Sequence, residues 1–324
     1  MIDKFEELIE NAGSIGIAGH VRPDGDCVGS CMATYNYIIN KYPDKDVHVI
    51  LQTIPTTFRF LKNTQVIEPE ESSDTSRSFD LFIALDCAEG TRLGNTYEVF
   101  KNSKTTMVID HHHTNGDFAD YSYIIDDYSS TCELLYNQFI KDEITKEIAE
   151  CLYVGIIHDT GVFQYTCCTS DTMKAAGFLM DKGIDYSAIC NETYFNKSLK
   201  QLKMTAQALS GVRMFSKNRI IASVTTQKDL AKEDALPRHL EGIVQEMRAT
   251  TGVEVAVYLY ETAPGEYKGS TRAVSDVDLT VICGKYGGGG HKKASGFSVT
   301  TDKPWEVIDD VVIEIEKQFK ELGI

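Results

Sequence analysis

At 324 residues the chain is too long for one ordinary core, so two domains are the default expectation. Apolar residues make up 42% and charged residues 25%, as in ordinary soluble proteins. No apolar run is long enough to span a membrane. A net charge of −16 argues against a grip on long duplex nucleic acid, which needs basic surface, but leaves room for a short nucleotide held by metals and a few local cations.

The N-terminus, Met1 to Glu7, is acidic and lacks the basic start and apolar stretch of a signal peptide. The nine cysteines form an odd set without metal-finger spacing. Cys27, Cys31, Cys132, Cys151 and Cys190 fall in apolar or helical segments and read as reduced core residues of a cytoplasmic protein.

In chain order, residues 15–20 read as a buried strand ending at His20. Asp26 precedes a helix from Cys27 to about Asn40, stopped before Pro43. Residues 46–51, 79–86 and 105–110 read as three further strands, with 121–125 as another. Their continuous apolar character predicts parallel strands covered on both faces, and their alternation with helices predicts an open α/β sheet. Helices are expected over 129–141, 146–158 and from Ser170 to Lys182, the last stopped by Gly183. Residues 185–198 carry no clear period, and the domain boundary is placed there: 1–184, a linker at 185–203, and 204–324.

A helix over 199–215 is expected to open the second part. Strands follow at 219–224, 254–260, 267–272 and 294–299, and helices at 237–250, 276–285 and 304–321. That pattern is a smaller mixed-sheet α/β domain.

Ligands in open α/β sheets bind beyond the carboxyl ends of the strands. His20, Asp86 and Asp110 all fall at such ends. Asp24 and Asp26 flank Gly25 in a tight turn that can aim both carboxylates into one pocket; taken alone, the same turn also fits a simple helix cap. A carboxylate after the apolar run before Asp86 is costly unless it binds something. Asp110-His111-His112-His113 follows a buried strand, and His158-Asp159 closes an apolar helix. Carboxylates and imidazoles gathered without cysteine suit hard or borderline divalent metals. Far downstream, Gly287 to Gly290 precede His291, Lys292 and Lys293, which suits close backbone approach to a phosphate or, blandly, a flexible linker. Arg272 ends a strand nearby and is either a phosphate fork or an ordinary surface cation.

Together these segments resemble the DHH phosphoesterase superfamily, in the branch with a C-terminal DHHA1 domain. Asp110-His111-His112 matches the motif that names the superfamily, and His20, Asp24, Asp26, Asp86 and Asp159 match its other metal motifs in order. Residues 287–297 resemble the DHHA1 glycine-rich signature. The resemblance covers nearly the whole chain and is nearest the NrnA-type group, which degrades very short RNA and dephosphorylates adenosine 3′,5′-bisphosphate.

It implies that His20, Asp24, Asp26, Asp86, His111 and Asp159 hold two Mn²⁺ ions, with Asp86 and Asp159 as bridging candidates. Asp110 would hold the geometry, and His112 would lie beside the scissile phosphate. Arg92, Arg272, Gly288, Gly289, Gly290 and His291 would bind substrate. His113 is a local variant with at most a phosphate contact.

The expected reaction is hydrolysis of a phosphoester by a metal-activated water. The substrate would be short RNA or a nucleotide, with no membrane partner, and a homodimer stays open. The rivals are a linear or cyclic dinucleotide phosphodiesterase and a non-catalytic nucleotide-binding regulator. A pyrophosphatase should lack the glycine signature.

Overall fold

The computed structural model describes residues 4–112, 116 and 118–324. His113 lies outside the described residues. The chain divides into two compact units, Met1–Asn196 and Lys197–Ile324.

The first unit runs α1 (Phe5–Asn11), β1 (Ser14–Ala18), α2 (Gly25–Lys41), β2 (Asp46–Leu51), β3 (Glu68–Pro69), β4 (Leu81–Leu85), α3 (Thr96–Asn102), β5 (Thr106–Asp110), β6 (Tyr121–Ile124), α4 (Thr131–Gln138), α5 (Lys146–Asp159), α6 (Ser170–Asp181) and α7 (Tyr186–Cys190). Its six strands are all parallel, in the order β3-β2-β1-β4-β5-β6.

The strand pleat explains the apolar runs. Ile15, Ile17, Leu81, Ile83, Leu85, Met107 and Ile109 enter the core under α2 and α5. Ala18, Phe82, Ala84 and Val108 point the other way, into a core with Val99 and Phe100 of α3. Both faces are covered, so alternation disappears from the sequence. The strand order reverses direction between β1 and β4, the crevice where such sheets bind ligands.

Helix α2 begins at Gly25 rather than Cys27, because Asp24 and not Asp26 is its cap: the Asp24 side chain accepts from the amides of Asp26 and Cys27. Such a cap contributes about 1 kcal/mol. The strand expected to reach His20 stops at Ala18, leaving His20 in the loop. The helix expected from Ser129 starts at Thr131, with Ser130 as cap, and α6 starts at Ser170 with Thr169 as its cap. Asp159 is the last residue of α5. Residues 185–198 hold α7 and a wide turn, Asn191–Phe195.

The second unit runs α8 (Leu199–Ser210), β7 (Arg213–Phe215), β8 (Ile220–Thr225), α9 (Gln227–Lys232), α10 (Ile243–Arg248), β9 (Val255–Ala263), β10 (Glu266–Ala273), α11 (Leu279–Gly284), β11 (Gly289–His291), β12 (Ala294–Thr300) and α12 (Pro304–Leu322). Its sheet order is β11-β12-β10-β9-β8-β7. Only the β8–β9 pair is parallel, so the sheet is mixed. Val255, Val257 and Leu259 face Ile308, Val311 and Ile315 of α12, while Ala256 and Tyr258 face Met204 of α8 and Met247 of α10.

Two expected helices are shorter than their sequence suggests. The one over 199–215 ends at Ser210, and Arg213–Phe215 instead forms the edge strand paired with β8. The one over 237–250 is broken by Gly242, whose φ of +81° no α-helix accepts, leaving a turn at Pro237–Leu240 and then α10. The glycine run is no linker: Gly289–His291 pairs antiparallel with β12.

Candidate metal centre

Loops from three adjacent strands meet at the carboxyl edge of the first sheet. His20 follows β1, Asp86 follows β4, and Asp110 ends β5. Asp24 and Asp26 come from the start of α2 and Asp159 from the end of α5. Asp26 and Asp110 are fully buried and Asp86 is 2% exposed.

Asp86 occupies the middle. Its Oδ2 lies 3.4 Å from His20 Nε2, and its Oδ1 lies 3.7 Å from His111 Nε2. Each oxygen of one carboxylate therefore faces a different imidazole. Its backbone sits in the left-handed region at φ +53°, with the amide donating to Ile109 O at 3.1 Å. A non-glycine residue held there costs about 1–3 kcal/mol, and such strain concentrates at functional sites.

On one side, His20 Nδ1 donates to Val21 O at 2.9 Å, and Nε2 lies 3.6 Å from Asp24 Oδ1. On the other, His111 Nε2 lies 3.0 Å from Asp159 Oδ2 and 3.9 Å from Asp26 Oδ2. His112 donates through Nδ1 to Asp110 Oδ1 at 2.7 Å, which fixes its tautomer.

The electrostatics show what this cluster lacks. Burial, then Asp86 and Asp159, pushes the Asp26 carboxyl well above the ordinary carboxylate range. Burial raises Asp159 to about 6, against the pull of His111. Burial disfavours the charged form of His20, yet Cys27, Asp24 and Asp86 raise it to about 12. His111 is raised to about 10 by Asp159, Asp26 and Asp86, again against burial.

These carboxylates cannot all ionise together without added positive charge. His111 Nε2 is buried and, among the described residues, has no hydrogen-bond partner of acceptable geometry despite three carboxylates around it. A ring nitrogen aimed into a ring of carboxylates fits a divalent cation, and the oxygen–nitrogen donor set suits one of hard or borderline character. Asp26, His111 and Asp159 form one compact ligand group, Asp86, His111 and His112 a second, and His20, Cys27 and Asp86 a third.

Some supporting groups are not evident from the sequence. The amides of Thr131 and Cys132, at the start of α4, donate to the two Asp26 oxygens at 2.7 and 2.9 Å. Thr131 Oγ1 donates to Asp86 Oδ1 at 3.3 Å. Thr131 thus ties together carboxylates from α2 and β4, on a helix N-terminus that favours anions. Ser129-Ser130-Thr131 before an apolar run marks a helix start, but not which carboxylates its amides meet.

Gly155 of α5 is also required, since a Cβ there would lie 2.4 Å from Asp26 Oδ1. Cys27, expected as plain core, is buried but lines the His20 side.

His158 is adjacent to Asp159 but does not join it. Its Nε2 bonds Thr193 Oγ1 at 3.1 Å, its ring packs edge-on to Phe58 and Tyr194, and burial lowers its pKa to about 4. Arg92 sits in the turn Gly90–Leu93, whose backbone accepts from Val21 at 2.7 Å and so braces the His20 loop.

Arg272, Gly288, Gly289, Gly290 and His291 belong to the second unit. Arg272 and His291 both pair with Ala294, so the three residues form one row across β10, β12 and β11. Residues directly opposite one another share a face, which leaves the small Ala294 between a guanidinium and an imidazole. Gly288 and Gly290 are demanded by packing: a Cβ would lie 2.1 Å from Gly296 O and 2.6 Å from Ala294 O, respectively. At Gly289 a Cβ would meet nothing.

Fold and cluster together define an α/β protein with a buried carboxylate–imidazole centre able to take a divalent metal. Comparison with known proteins gives the family. Residues 14–156 match the DHH family N-terminal domain, and residues 217–321 match the DHHA1 domain. The chain belongs to the DHH family, in the branch carrying a DHHA1 domain.

It is 27% identical over 308 residues to the bifunctional oligoribonuclease and PAP phosphatase NrnA of Bacillus subtilis, covering 93% of each chain. It is 28% identical to the protein of that name from Thermus thermophilus, over 93% of this chain and 90% of that one. The crystal structure of an exopolyphosphatase-related protein from Bacteroides fragilis superposes with a TM-score of 0.91 at 26% identity, over 99% of this chain and 96% of that one.

Proposed function

We propose that this chain is a metal-dependent phosphoesterase that hydrolyses short oligoribonucleotides to mononucleotides and adenosine 3′,5′-bisphosphate to AMP, with two Mn²⁺ ions as cofactors. The observation that carries the reading is Asp86, one carboxylate with an oxygen toward each of two imidazoles. His20, Asp24 and Asp86 would hold one ion; Asp26, Asp86, His111 and Asp159 the other. Bound ions of this kind supply Lewis acidity toward phosphoryl oxygens and lower the pKa of water.

The chain's own residues do the rest. Hydrolysis joins a water oxygen to phosphorus, breaks the P–O ester bond and returns a proton to the departing oxygen. His112, its Nδ1 held by Asp110 and its protonated form favoured by Asp110 and Asp86 against burial, would donate from Nε2, as an imidazolium, to a phosphoryl oxygen. Thr131 holds Asp26 and Asp86 in place. Arg272, His291 and the open backbone at Gly289 offer a cation, an imidazole and a close approach to a substrate phosphate. Arg92 braces the His20 loop.

The substrate class is supported by the relatives named oligoribonuclease and PAP phosphatase, and by the net charge of −16, which disfavours long polymers. Among the described residues no helix is long and apolar enough to cross a membrane. The nine cysteines are free thiols, as suits a reducing compartment such as the cytoplasm.

The test is a panel of an RNA dimer, a pentamer, a 24-mer, adenosine 3′,5′-bisphosphate and cyclic di-AMP, each incubated with Mn²⁺. The reading expects turnover of the dimer, the pentamer and the bisphosphate. Preference for the 24-mer, or turnover of cyclic di-AMP alone, would overturn it.

A further inference from the structure

Next to the candidate centre the first sheet carries a second concavity, used by nothing described so far. Strand β2 ends at Leu51 and β3 at Pro69, and a cavity of about 380 Å³ is lined by the residues at and beyond those ends. That volume lies in the range of small-ligand pockets, about 300–1,000 Å³. Leu51, Ile54, Ile67 and Pro69 give it apolar walls, with Thr53 and Arg59 as exposed polar members.

One hydrogen bond ties this cavity to the metal-type centre. Gln52, part of its lining, accepts from the Arg22 amide at 2.7 Å, and Arg22 lies between His20 and Asp24. The other end of the Gln52 amide donates to Glu70 at 3.3 Å, so the wall is fixed from both sides. Arg59 forms no ion pair among the described residues, although the chain carries sixteen excess negative charges. Thr64 Oγ1 donates to Arg59 O at 3.0 Å and holds that backbone. The next residue, Phe60, is 44% exposed.

Apolar walls, a few neutral hydrogen-bonding groups and one unneutralised guanidinium match a nucleotide: a base for the walls and a phosphate for the cation. The position is the ligand-binding edge of a parallel sheet. We propose that this cavity is a second nucleotide subsite, taking the nucleotide beside the scissile phosphodiester of a short RNA. The base lies against Ile54, Ile67 and Pro69, and its phosphate meets Arg59. This rests on the phosphoesterase reading and deepens it: an oligonucleotide gains from the subsite, and adenosine 3′,5′-bisphosphate, a single nucleotide, does not.

Two exposed positions test it in the full chain. Arg59→Glu reverses the charge, and Thr53→Trp fills the cavity from its exposed side. Binding of fluorescein-labelled pentaadenylate, followed by anisotropy in EDTA where no hydrolysis occurs, should weaken about ten-fold in each variant. The ratio of kcat/KM for pentaadenylate to that for adenosine 3′,5′-bisphosphate should fall by about the same factor. Unchanged pentaadenylate affinity, or equal losses on both substrates, would overturn the subsite. Should the unmodified protein hydrolyse neither substrate, the phosphoesterase reading falls, and the subsite is decided by the anisotropy measurement alone.

Discussion

At the carboxyl edge of the first sheet, Asp26, Asp86 and Asp110 are at most 2% exposed, whereas at the edge of the second sheet Gly289, Gly290 and His291 are all exposed. The first edge crowds like charges into a low-dielectric space and sets the imidazoles of His20, His111 and His112 and the N-termini of α2 and α4 against them. The second makes its shape from backbone, with Gly288 and Gly290 fitting where no side chain can. A buried cluster of carboxylates is costly in the absence of a cation, so its existence argues for one. An exposed glycine strand costs little and carries no such requirement. The first edge is therefore where we propose the chemistry, and the second where we propose a substrate contact.

The sharpest way to break this contrast is Asp86→Ala, which removes the carboxylate that faces His20 on one side and His111 and His112 on the other. Turnover should fall by about a thousand-fold or more, and calorimetric titration with Mn²⁺ should lose at least one binding event. Full activity in this variant would dissolve the metal assignment. Thr131→Val comes next. It keeps the amide on Asp26 but deletes the hydroxyl on Asp86, so Mn²⁺ affinity should drop about ten-fold or more, with Thr131→Ser restoring it. Equal affinity in the Val and Ser forms would mean the hydroxyl positions nothing.

Much of the first edge is legible from sequence, because buried parallel strands appear as uninterrupted apolar runs and the polar residue that ends each run must face the ligand edge. His20, Asp86 and Asp110 are found that way. The strand order is not legible: that β1 lies between β2 and β4 depends on pairing between distant segments, which no local pattern encodes. Thr131 escapes for a different reason. Its main contribution is a backbone amide, which every residue type but proline supplies.

His158 and Asp159 look like one motif in sequence, yet successive helical residues point about 100° apart, and only Asp159 reaches the cluster. In the second unit, the glycine run has no apolar period to mark it as a strand. Its pairing with β12 depends on Gly288 lying under Gly296, a contact that only the fold reveals.

That contact gives a paired test of the second edge. Gly288→Ala places a Cβ against the Gly296 carbonyl and should destabilise the protein by about 1–3 kcal/mol in urea unfolding. Gly289→Ala meets open space and should leave unfolding unchanged, while raising KM for adenosine 3′,5′-bisphosphate a few-fold without altering Mn²⁺ affinity. If Gly289→Ala leaves KM untouched, the glycine edge is structural only and the contrast between the two edges loses its second half.

The smallest effect is expected at the opposite end of the first sheet, where a carboxylate has ordinary partners. Asp80 accepts from the amides of Gly13 and Ser14 at 2.9 and 3.0 Å and pairs with Lys104 at 2.6 Å. Lys104, then those amides, lower its pKa to about 2, below the ordinary value of 3.8. A carboxylate whose pKa is depressed by folding stabilises the folded state above its unfolded value and loses that contribution as pH falls toward the folded one. The Asp80 contribution should therefore be complete above about pH 4 and fade toward pH 2. Thermal unfolding of Asp80→Asn should show a slightly lower Tm than the unmodified protein at pH 7, with the gap closing on acidification. Because Asp80 is satisfied by hydrogen bonds and one lysine, Mn²⁺ should not widen that gap. A metal-dependent gap would mean that unsatisfied carboxylate charge is spread through the sheet rather than confined to its carboxyl edge.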